Sequence, residues 1–295
     1  MMIDSADALI HFIRTKYPRF SDEQIVENNQ GWSNRVLVIG NKLIFRFPRT
    51  DEDKTSMKME QRILPELKKA LPVDIPDFIY SSSEPDEMMY VGYPMIPGIP
   101  LKSIKNLSVT QRRQIAEDLG HFLTALHNFP ADSYFPPDEV KPDFKKEYWG
   151  NFYEEIQEKV FPLISSIEKA KVEHLFEGFI MNPDNFLFKS SLIHGDLNSK
   201  HILHNPVSMR ISGVIDFGAM EVGDPAYDFT GIYKTYGKSF FHEVFQSYGG
   251  PIDKTFYDRI CNFYVKSSMF YSLLYALKTK NNKSLLVYLE RLQDL

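Results

Sequence analysis

The chain has 295 residues, of which 43% are hydrophobic and 25% are charged, a composition that suits a packed core and excludes global disorder. Lys and Arg number 34 against 39 Asp and Glu, so the formal net charge is -5 and excludes a general attraction to nucleic acid or anionic lipid. The single cysteine, Cys261, excludes an internal disulfide and a four-cysteine metal site.

The N-terminal residues, Met1-Met2-Ile3-Asp4, lack the basic run and following apolar run of a signal peptide. The longest apolar stretches are far shorter than a membrane span. We therefore expect a cytoplasmic protein whose partners include neither nucleic acid nor a membrane.

The first 95 residues are predicted to be rich in strands. The turn pair Gly40-Asn41 lies between two short runs of β-branched and aromatic residues, which predicts a β-hairpin. The predicted elements are, in chain order, a helix over 4–16, strands over 36–39 and 43–47, a helix over 55–70 that Pro65 could interrupt, and strands over 76–80 and 88–96.

The segment 94–100 is dense in Pro and Gly and predicts a linker, beyond which the pattern becomes helical. Helices are predicted over 108–128, 143–187 and 238–294, with short strands near 191–194, 202–204 and 211–216. The sequence thus predicts an α+β fold with a strand-rich N-terminal domain, 1–95, and a larger, mostly helical C-terminal domain, 96–295.

Two acidic motifs lie at the ends of apolar strands. The first, within 192–203, is a polar loop that carries Asp196 and His201, and the second is Asp216-Phe217-Gly218. Two carboxylates with a nitrogen donor between them can hold a divalent cation and orient a hydroxyl group, and phosphoryl transfer depends mainly on such positioning and charge neutralisation. Either motif alone fits an ordinary turn, but both together in this order favour a kinase-like site.

These stretches resemble the aminoglycoside phosphotransferase family, whose bilobal, protein-kinase-like fold has a small antiparallel-sheet lobe, a larger helical lobe and a nucleotide between them. The resemblance implies that Asp196 accepts the proton of the substrate hydroxyl and that Asp216 binds Mg²⁺. His201 falls where most of the superfamily has a metal-binding asparagine, and a histidine there resembles the 2''-type aminoglycoside and the macrolide phosphotransferases. Imidazole is a poorer ligand for Mg²⁺ than oxygen.

The N-terminal half resembles the phosphate-binding part of the same family. The loop 31–35, with Ser33 and Asn34, resembles the nucleotide-positioning loop. Arg46 occupies the place of the kinase lysine that contacts the α- and β-phosphates, and Glu60 matches the glutamate that pairs with it. A guanidinium group can grip phosphate in a bidentate way, although the two residues alone would also fit a surface ion pair.

Purine binding is implied for the segment around Tyr93. Tyr93 falls at the gatekeeper position, where a bulky aromatic residue accompanies GTP use in the 2''-type enzymes, so the donor is expected to be ATP or GTP. Pro94 has no N–H, and the backbone of Ile96 is therefore the expected donor to the base. His194, Asp224 and Asp228 are expected to be structural, anchoring the catalytic loop or capping the following helix.

The acceptor stays open between several classes. An aminoglycoside, with a role in antibiotic resistance, ranks first on family frequency. However, 229–240 and 262–283 carry lysines and aromatic residues but no acid, which suits an apolar macrolide better than a polycation. A kinase for choline, homoserine or a sugar is a third alternative, and a nucleotide-binding pseudokinase, supported only by Arg46 and His201, is a fourth.

Overall fold

The computed structural model of the protein describes residues 5–28, 33–82, 88–135 and 144–295. The chain forms two compact units, of which the first comprises Met1–Leu101 and His201–Met220 and the second comprises Lys102–Lys200 and Glu221–Leu295. Asp196 consequently belongs to the second unit, whereas His201 belongs to the first. The predicted domain boundary after residue 95 stays a prediction.

The first unit contains two sheets and two long helices. Its five-stranded antiparallel sheet has the order β1-β2-β3-β5-β4 among the described residues, and its three-stranded sheet has the order β6-β8-β9. The elements are α1 (Ala6–Lys16), β1 (Ile25–Asn28), β2 (Asn34–Ile39), β3 (Leu43–Pro48), α2 (Asp51–Ala70), β4 (Tyr80–Ser81), β5 (Val91–Pro94), β6 (Ile99–Pro100), β8 (Ile202–His204) and β9 (Ile211–Val214).

The predicted β-hairpin is confirmed as β2 and β3. Gly40 and Asn41 have φ of 57° and 55°, the left-handed conformation that a tight hairpin turn needs. The register places Val36 and Val91 on either side of Arg46, at the centre of the sheet. The apolar core beneath this sheet includes Leu9, Ile13, Leu37, Phe45 and Tyr90.

Helix α2 begins with a capping box formed by Thr50 and Asp53, and it continues through Pro65 without interruption. Proline removes one backbone donor, but Ile63, Leu64 and Leu67 are buried around it and hold this face of the helix to the core. Packing therefore outweighs the local preference of Pro65.

The strand predicted over 76–80 is wrong for most of its length, since only Tyr80–Ser81 is a strand. Pro72 and Pro76 remove backbone donors from the preceding segment. Asp74 instead forms an isolated bridge with Gly213. The predicted linker 94–100 contains β6, which pairs with β8.

The second unit is mainly helical, with one small antiparallel ribbon of β7 and β10. Its aromatic core surrounds Trp149, which is fully buried. Within the part of the chain that the structure describes, no helix has both the length and the apolar character of a membrane span. The elements are α3 (Val109–His127), α4 (Lys146–Lys159), α5 (Ser166–Ile180), β7 (Ser191–Ile193), β10 (Glu221–Gly223), α6 (Phe229–Gln246), α7 (Phe256–Asp258), a π-helical segment (Arg259–Tyr264), α8 (Val265–Lys278) and α9 (Asn282–Glu290).

Candidate active site

Arg46 on β3 and Glu60 on α2 form a bidentate ion pair with N–O distances of 2.7 and 2.8 Å. Both side chains are buried, with 6% and 1% of their surface exposed. Burial lowers the pKa of Arg46, but the Coulomb attraction of Glu60 outweighs it and raises the pKa above the ordinary value. The structure therefore holds a permanent cation at a fixed position in the first unit.

Asp216 follows β9 and lies near this cation. Its Oδ1 is 3.9 Å from Nη2 of Arg46, and its Oδ2 is 3.4 Å from Nε2 of His201. Its φ of 67° is in the left-handed region, which non-glycine residues rarely adopt, and its side chain is 52% exposed. The backbone N–H of Ile215 donates to the carbonyl of His201, and this bond ties the two segments together.

These donors fit Mg²⁺ in one respect and not in another. No cluster of three or more metal-binding side chains occurs among the described residues, so within them no cage for a metal ion is built from protein alone. Mg²⁺ usually binds through one or two carboxylates together with waters and substrate phosphates, and the exposed carboxylate of Asp216 suits that role. His201 supplies a nitrogen beside this carboxylate, which is a less favourable ligand for a hard cation.

The predicted nucleotide-positioning loop is described only in part, since Gly31 and Trp32 lie outside the described residues. Ser33 is exposed, and its carbonyl accepts a hydrogen bond from the N–H of Arg49. Asn34 begins β2 and is buried, and its Oδ1 has no hydrogen-bond partner among the described residues. A buried acceptor in this state is available to a ligand or to water.

Tyr93 lies on β5 and is buried, with its ring 5.6 Å from that of Phe78. Burial raises the pKa of Tyr93 to about 12, so its hydroxyl stays protonated although Arg46 acts in the opposite direction. The N–H of Met95 donates to the carbonyl of Lys42, whereas the N–H of Ile96 makes no hydrogen bond with a described residue. Ile96 is thus the first backbone donor after Pro94 that this segment leaves available.

The loop that carries Asp196 is fixed by a buried carboxylate in the second unit. Asp228 accepts hydrogen bonds from the N–H groups of His194, at 2.8 Å, and Gly195, at 2.9 Å. Nδ1 of His194 accepts from the N–H of Asp196 at 3.2 Å, and Nδ2 of Asn198 donates to Oδ1 of Asp196 at 2.9 Å. The structural roles expected for His194 and Asp228 are confirmed.

Asp228 is itself supported by residues that the sequence analysis did not single out. Nε2 of His127 lies 3.1 Å from Asp228, and Nδ1 of the same ring lies 2.8 Å from the hydroxyl of Tyr248. Burial raises the pKa of Asp228, but the hydrogen bond and charge of His127 outweigh it and hold the pKa below the ordinary value. The chain His127, Asp228 and the loop backbone therefore carries a negative charge that is fully bonded.

A second buried network surrounds Asp224. Its carboxylate accepts two bonds from Arg259, at 2.6 and 2.9 Å, and one from the hydroxyl of Tyr264 at 2.6 Å. Its Oδ1 also accepts from the N–H of Ala226, which caps the following turn as predicted. Arg259 further pairs with Asp253, at 2.7 Å. This network joins the start of α6 to the π-helical segment.

Helix α6 approaches the catalytic loop closely. A Cβ at Gly231 would lie 1.9 Å from the carbonyl oxygen of Leu197, so only glycine fits there. Lys234 is one turn farther along the same helix, and its ammonium donates to Oγ of Ser268 on α8 at 2.7 Å. The sequence contains a glycine within a helical pattern at this point, which is the signal that could have indicated a close contact.

A cavity of about 780 Å³ opens between α4 and α8 in the second unit. Aromatic side chains dominate its wall, namely Tyr148, Phe152, Tyr271 and Tyr275. Phe152 stacks on Tyr271 with ring centroids 4.4 Å apart. Its charged residues are Glu155, Lys159 and Lys278.

The chain belongs to the phosphotransferase enzyme family, which its sequence matches over residues 24–259. Viomycin phosphotransferase of Streptomyces vinaceus is 28% identical over 183 residues, which are 59% of this chain and 60% of that relative. The chain thus spans 60% of the length of this curated relative.

Two solved structures share the fold. The GDP and kanamycin complex of APH(2'')-IIIa matches with a TM-score of 0.89 and 24% identity over 97% of each chain. Macrolide 2'-phosphotransferase type I matches with a TM-score of 0.75 and 20% identity over 99% of each chain. The predicted α+β, protein-kinase-like fold class is confirmed.

Proposed function

We propose that this protein is a kinase that transfers the γ-phosphoryl group of ATP or GTP to a hydroxyl group of a small molecule. The observation that carries this proposal is the arrangement of Arg46, Glu60 and Asp216, in which a buried guanidinium and an exposed carboxylate lie 3.9 Å apart. A fixed cation beside a metal-binding carboxylate matches the charge distribution of a nucleotide's phosphates. Membership of the phosphotransferase enzyme family supports the same reaction.

Nucleotide binding is assigned to residues of the first unit. Arg46, held by Glu60, pairs with the α- and β-phosphates, because a guanidinium can donate two parallel hydrogen bonds to phosphate oxygens. Ser33 and Asn34 add polar groups to the phosphate-binding loop. The purine lies near Tyr93 and accepts from the N–H of Ile96. GTP use is supported by the GDP bound in the APH(2'')-IIIa structure.

Mg²⁺ is the cation that fits Asp216, with His201 beside it, and when bound it would neutralise charge on the phosphates. The left-handed backbone at Asp216 directs this carboxylate outward from the end of β9, which leaves half of the side chain exposed. His201 orients the carboxylate through its Nε2, 3.4 Å from Oδ2.

Asp196 is the proposed catalytic residue, which orients the acceptor hydroxyl and accepts its proton. Asn198 donates a hydrogen bond to one carboxylate oxygen of Asp196, and Asp228 fixes the backbone before it. General base catalysis requires such a carboxylate to be held within hydrogen-bond reach of its substrate. The rigid loop is therefore suited to positioning the nucleophile.

Two antibiotic classes are candidate acceptors. An aminoglycoside ranks first, since APH(2'')-IIIa was solved with kanamycin, and antibiotic resistance would then be the role of the protein. A macrolide ranks second and is favoured by the aromatic cavity between α4 and α8, whose wall suits an apolar ring system.

Turnover by the Asp196→Asn variant tests the proposed reaction. The protein is assayed with Mg²⁺ and ATP or GTP against panels of aminoglycosides, macrolides and metabolite alcohols. We expect kcat to fall by about 10³-fold while nucleotide affinity stays unchanged. An unchanged kcat would refute the role of Asp196, whereas nucleotide binding without turnover in the wild type would favour a pseudokinase.

A further inference from the structure

Lys234 occupies a specific place beside the catalytic loop. Gly231, three residues before it on α6, touches the carbonyl of Leu197, which immediately follows Asp196. Residues three apart lie on the same face of a helix. The side chain of Lys234 therefore extends from the face of α6 that meets this loop, and Ser268 on α8 holds its ammonium from the other side.

The charges around Lys234 are mostly positive. Partial burial lowers the pKa of Lys234, the neighbouring charge of Arg291 lowers it further, and only Asp196 raises it. Neither Lys234 nor Arg291 has an ion-pair partner within 4.0 Å among the side chains that the structure describes. Two cations thus face one carboxylate, and that carboxylate is the proposed catalytic residue.

We propose that Lys234, with Arg291, forms a cationic subsite for the acceptor, which takes a hydroxyl compound that carries an acidic group such as a carboxylate, sulfate or phosphate. This inference rests on the proposed kinase function and names the charge of its substrate. A polycationic acceptor would bring ammonium groups toward two unpaired cations, and like charges brought together at an interface are repelled. The subsite therefore discriminates against aminoglycosides.

Three sugars with the same ring hydroxyls and different charges test the subsite: glucuronate, glucose and glucosamine. We expect the wild-type protein to phosphorylate glucuronate with a higher kcat/KM than glucosamine, and the Lys234→Glu variant to reverse this order. Lys238→Glu is the matched control, since Lys238 is also an exposed lysine of α6 but follows the break in the helix at Gly237. It should keep the wild-type order.

Kanamycin binding, measured by calorimetry at low ionic strength, gives a readout that does not depend on turnover. The Lys234→Glu variant should bind kanamycin about fivefold more tightly than the wild type, and the Lys238→Glu variant should not. A kanamycin affinity that is the same in the two variants would overturn the subsite. Loss of all Mg²⁺-dependent turnover in the wild type would instead refute the kinase proposal, while the binding comparison still decides the role of Lys234.

Discussion

Arg46 and Glu60 are joined by two parallel hydrogen bonds of 2.7 and 2.8 Å and are both buried. Removing charges from water is costly, so a buried pair adds little net stability compared with apolar residues of similar size. Breaking the pair from one side is different, because the remaining charge has no partner. The pair is thus better explained by a need for a cation at this position than by stability.

Glu60→Gln should consequently destabilise the protein by about 3 kcal/mol, since it leaves Arg46 buried without a counter-charge. It should also raise the KM for the nucleotide, because Arg46 is no longer oriented toward the phosphates. Urea unfolding and steady-state kinetics measure the two effects. The control is Glu66→Gln on the same helix, which removes an exposed ion pair with Lys69 and should change little. Equal effects of the two substitutions would contradict this prediction.

Elements determined by nearby residues could be predicted from the sequence. The Gly40-Asn41 turn fixes the β2–β3 hairpin, and that hairpin places Arg46 in the sheet. Thr50 starts the following helix, and Glu60 then falls opposite Arg46. Each of these steps depends on local turn, strand or helix chemistry, which a single sequence displays.

Contacts between distant segments could not be predicted in the same way. Arg259 binds Asp224 across 35 residues, and its place in a π-helical segment has no signature in the sequence. His127 reaches Asp228 across 101 residues. Lys234 reads as one lysine in an acid-poor helix, and only the folded chain places it beside the catalytic loop. The charge of the acceptor site therefore had to come from the structure.

Asp228→Asn should separate loop geometry from nucleotide binding. An amide can accept only one of the two backbone hydrogen bonds, and its NH2 group would face the other N–H. We expect a loss of about 2–3 kcal/mol in the free energy of unfolding and a fall in kcat with an unchanged nucleotide KM. The exposed carboxylate of Asp258 in the same unit gives a control, Asp258→Asn. A variant with normal kcat would show that this loop tolerates movement.

The ion pair of Asp253 with Arg259 should make stability depend on pH. Burial raises the pKa of Asp253, but the hydrogen bond and charge of Arg259 outweigh it and hold the pKa below 3.8 in the folded protein. The pair therefore stabilises the fold above pH 3.8, and this contribution is lost as the pH falls below that value. Asp253→Asn should lower the free energy of unfolding at neutral pH, by a difference that shrinks on acidification. Urea titrations across this range measure it, and a constant difference would argue against the linkage.

His201→Asn should strengthen Mg²⁺ dependence rather than abolish it. An amide oxygen is a harder ligand than an imidazole nitrogen and would suit Mg²⁺ beside Asp216 better. We expect the Mg²⁺ concentration for half-maximal activity to fall in His201→Asn and to rise by roughly tenfold in His201→Ala. Titration with Mg²⁺ at saturating nucleotide measures both. A shift of the same sign in the two variants would mean that His201 acts without influencing the metal.

Gly231→Ala tests the approach of α6 to the catalytic loop. A Cβ there would lie 1.9 Å from the carbonyl oxygen of Leu197, so the helix or the loop must move apart. We expect lower stability, by about 1–3 kcal/mol as in other overpacked sites, and a reduced kcat because Asp196 precedes Leu197. Gly178→Ala on α5 is the matched control, since nothing lies within 4 Å of its added Cβ. That substitution should stabilise the protein by about 0.5–1 kcal/mol through higher helix propensity, and thermal unfolding that ranked the two variants in the opposite order would show that this contact does not fix the loop.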